Sequence, residues 1–332
     1  MSQDIFIPLS KSEDAVAGPL NTVTWITNNP KGIENILIKG YSHSTEGWHR
    51  PNSFELNLFN HCLGFSKDIS WKIANFMMTG DGENITIRVI AVDQSIPCIR
   101  PSYDGLFEGG ATISCPILDL SAHEEDLKNI GIHSTIGIKN MEFQSPSGEK
   151  YISSEIVYKG PDNIFVLGVT RPNIFIPIGP IDEKLGIGGI AYSARCTTKT
   201  DETIAFFKDI LGYEIRRDVA FEIDDNSAIN IPEGATERFI QGFSPGTSSG
   251  YIVLMDHGEF TKYKSIPLSM LPGRGIVMWS FPVGNLDEIY KQSKSHDMEI
   301  VSDIFSLHSD VLGYRNMVLK DPDGFLIELF EK

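Results

Sequence analysis

Lys320-Asp321-Pro322-Asp323-Gly324, running into Phe325-Leu326-Ile327-Glu328-Leu329-Phe330, is the stretch from which the rest of the chain can be ordered. Pro322 presets φ for the first central position of a β-turn, and Gly324 accepts the exit geometry, so Asp-Pro-Asp-Gly is a turn by mechanism. Residues 325–330 have the two-residue period of a strand. Phe325, Ile327 and Leu329 face one way; Leu326, Glu328 and Phe330 face the other. A carboxylate between two apolar neighbours is costly to bury unless something pairs with it or uses it. The alternative is that this face is simply the solvent side.

Length and composition bound the answer. The 332 residues suffice for two domains, each with a core, and 41% apolar with 22% charged residues is a globular composition. With 28 basic against 44 acidic residues the net charge is −16, which leaves no basic footprint for nucleic acid or anionic lipid. A small-molecule substrate is the expected partner, and a homodimer is compatible with the sequence. The amino end lacks a basic, apolar leader and no run of about 18 apolar residues occurs, so a soluble, cytoplasmic protein is expected. Cys62, Cys98, Cys115 and Cys196 are scattered without a Cys-x-x-Cys pair, which argues against a disulfide framework and a thiolate zinc site.

Working back from the closing strand, the same plan recurs. Residues 1–30 are polar and turn-rich and read as an arm. A strand is expected at 33–39, then a loop with His43, Trp48 and His49. Asn52 and Glu55 form a capping pair for a helix ended by Gly64. Strands are expected next at 69–77 and 85–92. A second round has a strand at 111–118, a helix opening at Ser121-Ala122-His123-Glu124, and strands at 134–143, 151–158 and 164–169. Residues 171–186, rich in proline, read as a linker. A third round has a strand at 190–196, a helix at 201–211 and strands at 214–223, 237–242 and 251–255. A fourth has a strand at 275–283, a helix capped by Asn285 and strands at 299–304, 315–319 and 325–330.

The repeat is visible in residues as well as in pattern. Leu58-Phe59-Asn60-His61-Cys62-Leu63-Gly64-Phe65 echoes Phe206-Phe207-Lys208-Asp209-Ile210-Leu211-Gly212-Tyr213. Ser114-Cys115-Pro116-Ile117 echoes Ser280-Phe281-Pro282-Val283, and Lys159-Gly160-Pro161-Asp162-Asn163 echoes the closing turn. Leu185-Gly186-Ile187-Gly188-Gly189 is no phosphate loop, because it leads into a strand rather than a helix.

These features resemble the two-domain members of the vicinal oxygen chelate superfamily, which includes glyoxalase I, extradiol dioxygenases and bleomycin-resistance proteins. The resemblance implies an α+β fold of four βαβββ units paired into two cupped mixed β-sheet half-barrel domains. It assigns 31–170 to a first domain and 187–332 to a second domain carrying the active site.

In that family a metal is held by residues on the first strand, on the strand opening the second unit, and by the closing-strand Glu. Here the matching positions are Tyr192 or Gly189, Met278 and Glu328. In the first domain they are around Asn35, at Thr112 and at Leu167. A phenol and a thioether suit Fe²⁺ or Mn²⁺ poorly, so no metal cofactor is expected; were one present, Glu328 would hold it. His308 lies near the place of a dioxygenase histidine, with Tyr314 beside it.

The expected chemistry is therefore metal-independent. Glu328 acts as a base raised in pKa by burial, with Tyr192 donating to an enolate and His308 nearby. Met278, Ser280, Leu326, Phe330, Tyr314 and His257 contact an apolar or ring-containing oxygenated substrate. An isomerase, epimerase or lyase fits. The alternatives are a metal-dependent dioxygenase or glyoxalase, and a non-catalytic binder of a hydrophobic molecule.

Overall fold

The computed structural model describes residues 10–65, 69–78, 85–93, 96–144, 150–173, 178–224, 227–261, 272–306 and 315–331. In chain order the first unit is β1 (Thr22–Thr27), α1 (Pro30–Glu34, continued by wider turns over Asn35–Gly40), β2 (Ser44–Thr45), α2 (Ser53–Leu63), β3 (Trp71–Met77) and β4 (Thr86–Val92). The second is β5 (Gly109–Pro116), α3 (Leu120–Asn129), β6 (Ser134–Gln144), β7 (Lys150–Lys159) and β8 (Phe165–Thr170). The third is β9 (Tyr192–Cys196), α4 (Thr200–Ala205, continued over Phe206–Ile210), β10 (Glu214–Glu222), β11 (Thr236–Phe243) and β12 (Tyr251–Asp256). The fourth is β13 (Gly275–Pro282), α5 (Leu286–Ser295), β14 (Ile300–Ser306), β15 (Arg315–Lys320) and β16 (Leu326–Glu331).

These strands form two cupped, eight-stranded mixed sheets, as the resemblance implies. The way the units pair differs from the expected division. One sheet has the order β14-β15-β16-β13-β1-β4-β3-β2 and joins the fourth unit to the first; the other, β10-β11-β12-β9-β5-β8-β7-β6, joins the third to the second. Segments 31–170 and 187–332 are thus not separate domains, since each contributes strands to both sheets. The seams are antiparallel: Thr22 opposite Ser280 in one sheet, Ser114 opposite Tyr192 in the other.

The expectation for the amino-terminal region is corrected at two places. Residues 22–27 are β1, fully buried, a strand disguised in the sequence by its three threonines. Residues 33–39 are helical rather than extended. Pro30 occupies the first turn, where its missing N–H costs nothing, and the Asn29 side chain accepts from Gly32 N at 3.0 Å. The helix at 53–63 forms with the expected cap, Asn52 and Glu55 bonding each other's backbone at 2.9 and 2.8 Å. It is an addition to the plan, because α1 is the helix that succeeds the first strand as α4 succeeds β9. The echo between residues 58–65 and 206–213 is therefore one of helix endings, both closed by a left-handed glycine, Gly64 and Gly212.

The sheets meet back to back at their central strands. A Cβ on Gly110 of β5 would lie 2.5 Å from Ile276 Cβ on β13, a close approach that only glycine permits. Trp279 Nε1 donates to Ser193 Oγ at 3.1 Å across this contact. The closing turn reaches over it as well. Arg195 on β9, with no exposed surface, donates to Asp323 at 3.0 Å and to Asp321, and Asp323 also accepts from Lys199 N at 2.8 Å. The described part of the arm runs along the same junction, with Gly18 N on Pro282 O and Leu20 N on Gly250 O, both at 2.8 Å.

Candidate active site

Each sheet has a concave face, and the two faces have different contents. In the sheet of the first and fourth units, cross-strand register puts Thr24, Arg88, Ser280 and Glu328 on the concave side. Glu328 is inward as expected and 1% exposed. It is, however, fully engaged. Arg88 Nη1 donates to its carboxylate at 2.8 Å, Ser280 Oγ at 2.6 Å and Asn316 Nδ2 at 3.1 Å. Burial alone would push its pKa up; the Arg88 charge and these hydrogen bonds outweigh burial and hold the carboxyl below its ordinary value. A base of raised pKa is thus not what Glu328 provides.

Among the described residues this cup is occupied by the chain's own side chains. Helix α2 lies in it, with Phe59 over the Arg88 guanidinium at 5.2 Å and edge-on to Trp71, and His61 Nε2 donating to Val301 O at 2.7 Å. The Cys62 thiol beside Glu328 is pushed up to about 12, by burial first and then by the carboxylate's charge. Met278, Leu326 and Phe330 are buried packing, and Ser280 serves Glu328 rather than a ligand. His308 and Tyr314 lie outside the described residues.

The other cup is open, with a cavity of about 790 Å³. That is ample for a small organic molecule. Tyr192 lines it, in a different sheet from Glu328, so the two do not share a site. Period-two alternation puts Tyr151, Ser153, Glu155 and Val157 of β7 inward, and Glu237, Phe239 and Gln241 of β11 opposite them.

Two carboxyls therefore face one space. Glu155 is pushed up to about 7 by burial, with Lys139 pulling the other way. Glu237, 6% exposed, is pushed up to about 8 by burial and by the charge of Glu155. The Tyr192 phenol is stacked on Tyr251 at 4.9 Å and is raised well above its usual range, by burial and then by Glu155. It stays protonated and can donate.

His257 is not at a rim. It is buried behind Glu237, Nδ1 3.8 Å from Oε2, and burial lowers its pKa to about 4, so it is neutral near pH 7. Glu155, Glu237 and Arg217 did not stand out in the sequence. Alternation alone would have turned each inward, but only knowledge of which units pair puts the two acids in one cup.

At the positions that match the family's metal ligands, the side chains of neither cup suit a divalent cation. The inward positions on the opening and closing strands are Thr24, Arg88, Ser280 and Glu328 in one, and Thr112, Leu167, Tyr192 and Val253 in the other. A guanidinium repels a cation, and hydroxyl, phenol and alkyl groups are poor ligands for Fe²⁺ or Mn²⁺. Among the described residues no group of three His, Cys, Asp or Glu side chains converges to hold a metal. No described helix is long and apolar enough to cross a membrane.

Residues 189–329 match the family model of the Glyoxalase/Bleomycin resistance protein/Dioxygenase superfamily. Among solved structures the chain is similar to glyoxalase I from Zea mays, with a TM-score of 0.62 and 11% identity over 96% of this chain and 94% of that chain. It is also similar to a putative dioxygenase from Bacillus subtilis, with a TM-score of 0.51 and 12% identity over 95% of this chain and 85% of that one. No curated protein sequence matches it. At such identities the structural likenesses speak for the fold alone.

Proposed function

From the premise that this chain belongs to the Glyoxalase/Bleomycin resistance protein/Dioxygenase superfamily, in its tandem two-sheet form, we propose that it is an enzyme working by metal-independent acid/base chemistry in the cup of the second and third units. The reaction is proton transfer at a carbon next to a carbonyl: an isomerisation, epimerisation or elimination. The observation that carries this reading is the pair of inward carboxyls, Glu155 and Glu237, facing one large cavity with Tyr192 between their strands.

Near neutral pH such a pair shares roughly one negative charge. Ionised Glu155 takes the proton from carbon, and protonated Glu237 returns one to the product. Tyr192 donates to the oxygen on which negative charge develops, the task a cation performs in metal-dependent relatives. Phe143, Phe239, Val253 and Met255 give the cup an apolar wall suited to a ring-containing substrate.

The test is exchange of carbon-bound hydrogen for solvent deuterium, read by mass spectrometry across a panel of cyclic and aryl carbonyl compounds. Exchange that falls by a factor of about 10² to 10⁴ in Glu155→Gln, with binding retained, is the expected result. Compounds that bind and return unchanged, with Glu155→Gln altering affinity alone, would make the protein a binder instead.

A further inference from the structure

We propose that the molecule held in this cup carries a carboxylate, and that Arg217 is the residue that selects it. The inference rests on the reading of the cup as the substrate site and adds the charge of the substrate. Arg217, on the concave face of β10, is 8% exposed and lines the cavity. Its guanidinium lies over the Phe143 ring at 4.5 Å, and Nη2 donates to Tyr151 Oη at 2.6 Å. Those contacts fix its plane but do not neutralise it. Among the described residues it makes no ion pair, with Glu155, Glu237 or any other acid.

Three other arginines here are met by carboxylates, and Arg100, also buried, is met by the carbonyl oxygens of Asp104 and Phe107. Arg88 meets Glu328 at 2.8 Å, Arg216 meets Glu214 at 2.7 Å, and Arg195 is held between Asp321 and Asp323. A buried charge is costly unless paired, so a solitary guanidinium facing a cavity marks the place where a ligand supplies the opposite charge. Its remaining N–H groups, held flat by the aromatic ring, suit the two oxygens of a carboxylate.

A second observation points into the same space. Thr112 Oγ1 lines the cavity, is buried, and has no hydrogen-bond partner. Gln241 Oε1, on the face shared with Arg217 and Val253, is likewise buried and unpartnered. Unpartnered polar atoms are rare in folded interiors, and here they lie where a bound oxygenated molecule would meet them. The chemistry that fits is a flat apolar body ending in a carboxylate.

The test is calorimetric titration of the full-length protein with matched pairs: 4-phenylbutanoate against 4-phenylbutanamide, and 2-naphthoate against 2-naphthamide. Each acid is expected to bind about 10- to 100-fold more tightly than its amide. Arg217→Gln removes the preference, Arg217→Lys keeps part of it, and Arg238→Gln, outside the cavity and paired with Asp201 and Asp218, leaves it in place. Equal affinity of acid and amide for the wild type, a preference that survives in Arg217→Gln, or no binding by any probe overturns the inference. An Arg217-dependent preference without hydrogen exchange sinks the enzymatic reading alone. Exchange on neutral carbonyl compounds with acids excluded sinks this inference alone.

Discussion

Arg88 and Glu328 meet at 2.8 Å from strands contributed by opposite ends of the chain, and the helix that covers them carries Phe59 over the guanidinium. The pair is buried beneath that helix, so its work here is to close a core. Removing one member strands the other. Arg88→Gln is expected to destabilise the fold by about 3 kcal/mol, because a buried carboxylate loses its countercharge. Glu328→Gln, which keeps one acceptor oxygen where Ser280 and Asn316 use two and also strands Arg88, should destabilise it as well. Differential scanning calorimetry checks both, and neither should alter ligand affinity in the open cup. The folded pKa of Glu328 is depressed, so its stabilisation is present above the unfolded value and is lost as acid drives pH down through the folded one.

The Arg195 junction makes a second prediction. Its guanidinium joins the Asp-Pro-Asp-Gly turn of one sheet to the first strand of the other, with no exposed surface on any of the three charges. Arg195→Met should cost about 3 to 5 kcal/mol, by leaving Asp321 and Asp323 buried without their partner. For Asp323, burial pushes the pKa up, and Arg195 with Thr197 and the backbone N–H groups brings it down to about 2. Its contribution is therefore full above about pH 4 and fades as pH falls toward 2, a loss that acid denaturation of Arg195→Met should show only in the part that Thr197 and the backbone N–H groups still sustain.

The open cup predicts a pH profile. Proton transfer needs the acid pair to hold one proton, so the rate should trace a bell with limbs near pH 7 and 8, values that belong to the pair. The other ionisable groups lining this space are Lys139, Glu142, Arg216, Arg217, Asp218, Glu222, Asp224 and Tyr192. In Glu155→Gln the charge that pushes Glu237 up is gone, so Glu237 should titrate at lower pH. Stability runs the opposite way from the Glu328 case. Both carboxyls bind protons more tightly folded than unfolded, so stability falls as pH rises from about 4.5 to 8. Glu237→Gln should consequently be more stable than the wild type at pH 8, by an amount on the order of 4 kcal/mol, seen as a higher melting temperature.

Much of the fold was legible because strands with one buried face announce themselves by alternation. β4, β7, β11 and β16 fell within two residues of their expected ends, and the helix caps at Asn52 and Asn285 formed as expected. β1 was missed because Thr22, Thr24 and Thr27 look polar while being buried. The site was less legible for a physical reason. Four units with one hydrogen-bonding plan can pair in more than one way, and strand pattern does not say which edges meet. Pairing neighbours in sequence directed attention to Glu328; pairing the inner two units joins Glu155 to Glu237.

Interleaving of the units also sets the order of events during synthesis. The inner sheet is complete once Asp256 has left the ribosome, but β1 cannot find its neighbour β13 until the fourth unit emerges, nor Arg88 its carboxylate until Glu328 does. At ordinary elongation rates of roughly 5–20 residues per second, the interval between Val92 and Glu331 lasts on the order of 10 to 50 seconds. Through it the nascent amino-terminal quarter waits with an open strand edge, the kind of surface on which chaperones act.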